Sequence, residues 1–536
     1  MDYPDVTISG LLRETAAKYP KLTACEFLGF RRSYARLVSG VRHCAGALRR
    51  AGIGAGDRVL LALPNLPQTV LLFYALNEIG AVSVFVHPLS APEEVAYYIE
   101  SSRAAAAVTL HRLYAPLESA LSGLRFVLLT EPEDGLPGAA AAAARLVSRR
   151  RVPGGGVTDW RRFLAGAKPQ AGAPNAGGSG DCASILFSGG TSGMPKGIII
   201  TNGNFNALAL GTAEAAGNLV PGEKMLSVMP MFHGFGLGIC IHTSLAAGLH
   251  CILVPQFTVK SYLKTVARRR PNYIAGVPTL FEALLRLPDT EKIDLSQLSG
   301  VFSGGDAIPP ELKRRVDAFL AARGSKVRVR EGYGLTETVT ACCLTPRGGA
   351  PEGSIGKPYP DTLFKIVAPE TTDELAPGEV GEICVSGVLV TPGYDGDGEE
   401  TAAALRLHGD GVVWLHTGDL GSVDADGFVY FRGRLKRVVV TSGYNVYPQQ
   451  VERVLDAHEF VRASCVVGAY DDYKMQRVAA YIVREPTAPG EDVVESALRD
   501  RCRAALAPHS RPREYRFIDE LPRTKLGKVD YRKLEG

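Results

Sequence analysis

The sequence predicts an α/β protein built from several units. Three observations carry that prediction. The chain has 536 residues, which at roughly 150 residues per domain allows three or four units. Helix-period and strand-like segments alternate along most of it. The composition is ordinary for a globular protein, 46% hydrophobic and 22% charged. A chain of this length buries roughly three quarters of its unfolded surface, so it needs no disulfides or structural metal to fold.

Taken in order, residues 8–18 and 34–51 carry apolar positions at helical spacing, and 58–63 is a continuous apolar run of strand length. Residues 68–79 return to the helical period and 81–85 to a strand. Residues 131–180 break the pattern. They hold an alanine run, Arg149-Arg150-Arg151, Gly154-Gly155-Gly156 and many prolines, and they predict an irregular surface excursion with at most one short helix. The arginine triplet reads as a solvated face before it reads as an anion site. From Cys182 to about 345 strands alternate with helices again. Residues 350–435 are turn-rich, with short strands at 382–386 and 428–432, and after Leu435 comes a compact α/β tail. Residues 234–254 are the best membrane candidate, but His242, His250 and several glycines make them a buried helix–strand unit instead.

Charge and cysteine usage exclude several classes. The balance of 60 basic against 56 acidic residues, +4 in all, is too small to predict a nucleic-acid partner. Most of that excess lies after Leu435. No two of the ten cysteines are spaced CxxC, so a zinc ribbon or thioredoxin motif is excluded and the thiols read as small buried hydrophobes. No HExxH occurs, and no GxGxxG or GxSxG supports a dehydrogenase or hydrolase. Without a basic, apolar leader the protein is expected to be soluble and cytoplasmic.

The strongest local signal is Ser188-Gly189-Gly190-Thr191-Ser192-Gly193-Met194-Pro195-Lys196-Gly197, with strands expected at 183–187 and 197–201. Its glycines let backbone N–H groups converge, and two hydroxyls and a lysine add donors, which suits a polyphosphate. It is not a Walker loop, because it re-enters a strand rather than opening a helix. Further on stand Glu331-Gly332-Tyr333-Gly334-Leu335-Thr336-Glu337-Thr338, then His416-Thr417-Gly418-Asp419, Gly433-Arg434-Leu435-Lys436, Ser442-Gly443-Tyr444, and Pro522-Arg523-Thr524-Lys525-Leu526-Gly527-Lys528.

In these motifs, in this order and spacing, the chain resembles the adenylate-forming superfamily: acyl-CoA synthetases, peptide-synthetase adenylation domains and beetle luciferases. The resemblance implies a large N-terminal domain, residues 1–435, of two α/β subdomains and a small β-barrel, then a mobile α+β C-terminal domain, residues 436–536. It implies ATP, Mg2+ and coenzyme A as co-reactants and a small-molecule carboxylic acid as substrate. Ser188 to Gly193 and Lys196 would cradle phosphate, and Tyr333 would pack on adenine beside Gly304, Gly305, Asp306, Glu331, Gly332 and Gly334. Thr336 would touch the α-phosphate. Glu337, with Thr191, would hold magnesium, a hard cation that takes oxygen ligands. Asp419 and Arg434 would meet the ribose, and Lys436 is the hinge. Lys528 would be the catalytic lysine, and Gly443 would border the pantetheine arm.

The chain departs from the superfamily pattern at Glu331, where an amide is commoner, and at Asp306, where a small residue is common. Asp306 is expected either to accept from the adenine amino group or to cap the helix beginning near Pro309-Pro310. The acyl pocket is expected around Phe232 and His233, with Phe235, Val277, Phe302, Gly304 and Val339. No acid stands early in the 232–236 stretch to read an α-amino group, so the substrate is expected to be a fatty or aryl acid. The acceptor is coenzyme A or, alternatively, the phosphopantetheine of a carrier protein. A homo-oligomer is left open.

Overall fold

The computed structural model describes residues 1–138, 140, 154, 156–170, 177–188, 195–217, 219–255, 258–288, 290, 293–437, 439–441, 444–446, 448–471, 475–506, 510–524 and 528–535. Two large sheets dominate. The first has seven strands in the order Val157–Asp159, Phe126–Thr130, Ala106–Leu110, Arg58–Ala62, Val82–Phe85, Cys182–Ser188, Lys196–Thr201. All neighbours are parallel except the last pair, an antiparallel hairpin. Ala106–Leu110 and Val82–Phe85 are buried at every position, as apolar strands covered on both faces must be.

The second sheet has nine strands: Lys357–Pro358, Cys343–Leu344, Val329–Tyr333, Gly300–Ser303, Tyr273–Gly276, Lys224–Ser227, His250–Leu253, Thr23–Phe27, Phe30–Ser33. Its middle is parallel and both edges are antiparallel. Helix Pro67–Glu78 is buried along its whole length and one continuous core joins the two sheets. Thr7 and Ser33 cap helices Ile8–Lys18 and Tyr34–Arg50 by accepting from the N–H groups of Gly10 and Arg36, which fixes where those helices start.

A five-stranded antiparallel sheet stands where the resemblance implies a small barrel. Val413–Val423 lies in it against Gly381–Gly387, Leu405–Leu407 and Val429–Arg434, and Thr362–Val367 flanks Gly381–Gly387. The fourth sheet is drawn wholly from residues 439–517 and has its own core of Val439, Val451, Leu455, Val466, Ile482 and Leu498.

One expectation needs correction, and the buried helix–strand reading of residues 234–254 holds. Within 131–180, Val157–Asp159 adds an edge strand to the first sheet and Trp160–Leu164 is helical under an Asp159 cap. Residues 139, 141–153, 155 and 171–176, which include the arginine triplet, lie outside the described residues. Phe235–Thr243 is a π-helix with all nine residues buried. Among the described residues no helix is long and apolar enough to cross a membrane. Nine cysteines are buried, Cys182 is partly so, and all ten are free.

Candidate active site

The carboxyl ends of the parallel strands Gly300–Ser303 and Val329–Tyr333 open side by side, where open α/β sheets bind ligands. The first strand runs into Gly304, buried, and then Gly305 and Asp306, both exposed. Gly305 takes φ +81°, a conformation glycine reaches without strain. Asp306 Oδ1 accepts from the N–H of Ala307 at 2.9 Å. The helix that follows, Pro310–Ala321, has Pro309 as its N-cap with no side-chain cap, so Asp306 is not a helix cap. Glu331 accepts from Lys313 Nζ at 2.9 Å. Burial pushes its carboxyl up while Lys313 and, more weakly, Arg453 oppose the rise. Gly332 and Gly334 flank Tyr333, and a Cβ on Gly334 would sit 2.5 Å from Thr340 O.

Tyr333 and Asp419, 86 residues apart, meet directly: the phenol donates to Asp419 Oδ2 at 2.8 Å. The Tyr333 ring packs beside Phe431 and Phe364. Asp419 is Cα partner to Arg434 across adjacent strands, with Nε 3.1 Å from Oδ1. Burial pushes the Asp419 carboxyl up; Arg434, Tyr333 and Lys528 oppose that rise and Glu382 adds to it. An aromatic face, a buried carboxylate and a guanidinium thus share one wall, which suits a base and a sugar diol.

The second wall centres on the 3-10 turn Thr336–Thr338. Val339, just after it, holds φ +62°, a strained conformation for a β-branched residue. The turn persists because Gly234 lies against it: a Cβ there would come within 1.8 Å of Val339 O. Glu337 Oε1 accepts from the Tyr394 hydroxyl at 2.8 Å, and Glu337 O accepts from Thr391 N. Lys196 pairs with Glu400 and lies 5.8 Å from the Tyr394 ring centroid. Tyr394 is set in place by the next residue, since Asp395 takes both nitrogens of Arg58 at 2.6 and 2.8 Å. Sequence reasoning missed Tyr394, Asp395, Arg58 and Glu400. The one local signal was the Pro392-Gly393 turn preceding them.

The tail brings Lys528 to the same place. Its side chain is half-buried in the field of Asp306, Arg434 and Asp419. Burial lowers its pKa, the two carboxylates oppose that shift and Arg434 adds to it. His233 also feels Lys528. Burial first, then that ammonium, push its imidazole down to about 4, so it is neutral at physiological pH.

Beside this cluster an apolar pocket opens at Gly304, Gly305, Phe235 and Phe302, and its lining reaches Met225 and Leu249. Among the expected pocket residues Phe235, Phe302 and Gly304 line it. Phe232 packs instead against His87, with ring centroids 4.6 Å apart, and Val277 stands beside Gly305. Ser188 and Lys196 are Cα partners at the mouth of their hairpin. Gly189, Gly190, Thr191, Ser192, Gly193 and Gly443 lie outside the described residues.

A pocket at strand carboxyl ends, an aromatic–carboxylate–guanidinium wall and a lysine delivered from the chain's tail define a nucleotide-using enzyme of two-part construction. The chain belongs to the AMP-binding enzyme family: residues 12–395 match its main domain and 450–528 the AMP-binding enzyme C-terminal domain. It is 33% identical to a long-chain-fatty-acid–CoA ligase of Bacillus subtilis, covering 99% of this chain and 94% of that one. It is 32% identical to a feruloyl-CoA synthase of Amycolatopsis, covering 95% and 94%. Among solved structures, ATP-bound MatB from Rhodopseudomonas palustris is similar with a TM-score of 0.83 at 27% identity, covering 99% of this chain and 98% of that one.

Proposed function

We propose that this chain is an AMP-forming acid–thiol ligase for a linear aliphatic acid, with residues 1–435 forming the adenylation domain and 436–536 a mobile domain. ATP and the acid give an acyl-adenylate and pyrophosphate, and coenzyme A then displaces AMP to leave the thioester. The observation that carries this reading is the half-buried Lys528 ammonium among Asp306, Arg434 and Asp419, with Asp306 next in the chain to Gly305, which lines the apolar pocket.

Carboxylate and α-phosphate are both anions, so the first step needs positive charge rather than a covalent relay. Lys528 supplies a point charge between them and fixes their approach. Tyr333 faces the base, Asp419 and Arg434 the ribose, and Thr336 the α-phosphate. Lys196 leaves Glu400 to meet the outgoing phosphates. Glu337 fits a magnesium ion: its carboxylate is buried, holds one neutral hydroxyl donor, and is pushed toward accepting positive charge. With Thr191 it would hold that ion, which supplies charge to phosphate oxygens when bound.

The span of the lining residues favours a chain over a ring. It begins at Gly304, beyond the carboxyl end of one strand, and reaches Met225 and Leu249 at the amino ends of two others in the same parallel array. That is one strand length, roughly 13 Å, or about ten extended methylenes. At about 0.8 kcal/mol for each buried methylene, kcat/KM should rise about fourfold per carbon until the cavity is full. A panel of straight-chain acids and of benzoates and cinnamates, with ATP, magnesium and coenzyme A, read by thioester mass, tests this. Preference for the aryl acids would remove the aliphatic assignment, and absence of any coenzyme A thioester would remove the acceptor.

A further inference from the structure

Three side chains close to the nucleotide wall take no part in the reaction above. Cys384, His408 and His416 are 0%, 4% and 8% exposed, and one ligand atom from each lies within 4.8 Å of the other two. Cys384 on strand Gly381–Gly387 and His416 on strand Val413–Val423 are direct cross-strand partners. His408 follows strand Leu405–Leu407. The cluster is a product of sheet register, invisible to any spacing rule.

The surroundings are built as a ligand set requires. Glu382 Oε2 is 2.8 Å from His416 Nδ1, and its other oxygen accepts from Gly418 N at 2.9 Å. With its Nδ1 hydrogen directed at that carboxylate, His416 turns a bare Nε2 toward His408 Nε2, 2.9 Å away. His408 then carries its hydrogen on Nε2, and its Nδ1 is buried with no partner among the described residues, so on metal binding that hydrogen can shift to Nδ1. Arg406 is near, and the neighbouring Lys365 is matched by Asp410 at 2.7 Å.

We propose that Cys384, His408 and His416 bind one borderline-soft metal ion of the zinc class, with Glu382 as the carboxylate that orients His416. Zinc takes Cys and His at about 2.3 and 2.0–2.1 Å, which sets two tetrahedral nitrogens about 3.3 Å apart. The two rings need part by only a few tenths of an ångström. The carboxylate–histidine–metal arrangement is the usual outer support of such sites. The thiol must lose its proton on binding, so metal uptake releases a proton into a site facing Glu382, Lys365, Arg406 and Asp410. Three protein ligands leave a fourth position for water, and the ion ties together three stretches of the sheet beside Asp419.

The test uses untagged full-length protein, stripped with a chelator and dialysed. Zn2+ is titrated against a chromogenic chelator, and Co2+ is followed by absorption. One Zn2+ per chain, a thiolate-to-cobalt charge-transfer band and a raised Tm are expected. Cys384→Ser and His408→Asn should each weaken binding about 100-fold or more, and Glu382→Gln about 10- to 100-fold. Circular dichroism checks folding of the variants. Unchanged Zn2+ binding in folded Cys384→Ser and His408→Asn overturns the proposal. So does a native protein that takes up no Zn2+, or one whose cobalt complex lacks the thiolate band, whether or not the variants fold.

Discussion

Lys528 is set in a field with two carboxylates against one guanidinium and a cost of burial. The net effect lowers its pKa from the ordinary 10.5. Its proposed work needs the ammonium, so pyrophosphate exchange should fail on the alkaline side at a pH below that of a free lysine. Asp306→Asn removes the first of the two carboxylates that support the charge and should move that limb lower still. A limb that stays put in Asp306→Asn, or moves up, would detach Asp306 from Lys528. Lys528→Ala should lower exchange about 10²-fold or more, yet leave a supplied acyl-adenylate competent for thioester formation within a few-fold. Equal loss of both half-reactions contradicts the role. Gly234 sets a second residue-scale limit. A methyl group there meets Val339 O at 1.8 Å, so Gly234→Ala must displace the Thr336–Val339 turn. The expected result is a lowered Tm, on the order of 1–3 kcal/mol of overpacking, with exchange activity lost ahead of stability. A fully active Gly234→Ala enzyme would show the turn is not held this way. The meeting of Asp419 with Tyr333 and Arg434 was foreshadowed because each sits in a local motif. Tyr394 was not, since its partners Glu337 and Lys196 lie 57 and 198 positions away.

At the scale of elements, strands came through where apolar runs end at turn residues. The expected 58–63 and 81–85 are Arg58–Ala62 and Val82–Phe85. Helix Ile8–Lys18 matched because Thr7 fixes its start. Val157–Asp159 did not, being three half-buried residues at a sheet edge whose pairing comes entirely from a neighbour. Helix Pro448–Asp456 carries a testable strain of another kind. Burial pushes its last residue, Asp456, up from 3.8 to about 7, against an opposing hydrogen bond with Ser464. Oδ1 has no partner. Between pH 4 and 7 the folded protein therefore keeps a proton that the unfolded chain has lost. Stability falls as pH rises through that window, by about 1.4 kcal/mol per unit, and levels off above 7. Asp456→Asn keeps the shape and removes the charge. The difference in Tm between variant and parent should be small at pH 4, widen in the variant's favour up to pH 7 and then stay constant. Parallel Tm–pH curves for the two proteins would show that Asp456 ionises normally.

At the scale of the molecule, the two-part division was legible because the tail has its own strand and helix pattern, and its sheet and core are indeed self-contained. How the tail docks was not, because docking rests on contacts the tail makes with distant residues. Helix Pro448–Asp456 packs against strand Val429–Arg434, Arg286 and Glu485 approach to 3.8 Å, and Arg453 lies between Arg432, which repels it, and Glu331, which attracts it. If the mobile-domain proposal holds, these contacts belong to the pose that delivers Lys528 and are broken when coenzyme A is used. Surface pairs of this kind contribute little each, which suits a pose that must be left on every turnover. Arg453→Glu turns the attraction to Glu331 into repulsion. The arrangement with Lys528 in the pocket should then be populated less, so pyrophosphate exchange should drop several-fold. Thioester formation from supplied acyl-adenylate should be unaffected or faster. Because the repulsion is electrostatic, higher salt should restore part of the lost exchange. A defect shared by both half-reactions, or one indifferent to salt, would mean that Arg453 supports the fold of the tail rather than the balance between its two positions.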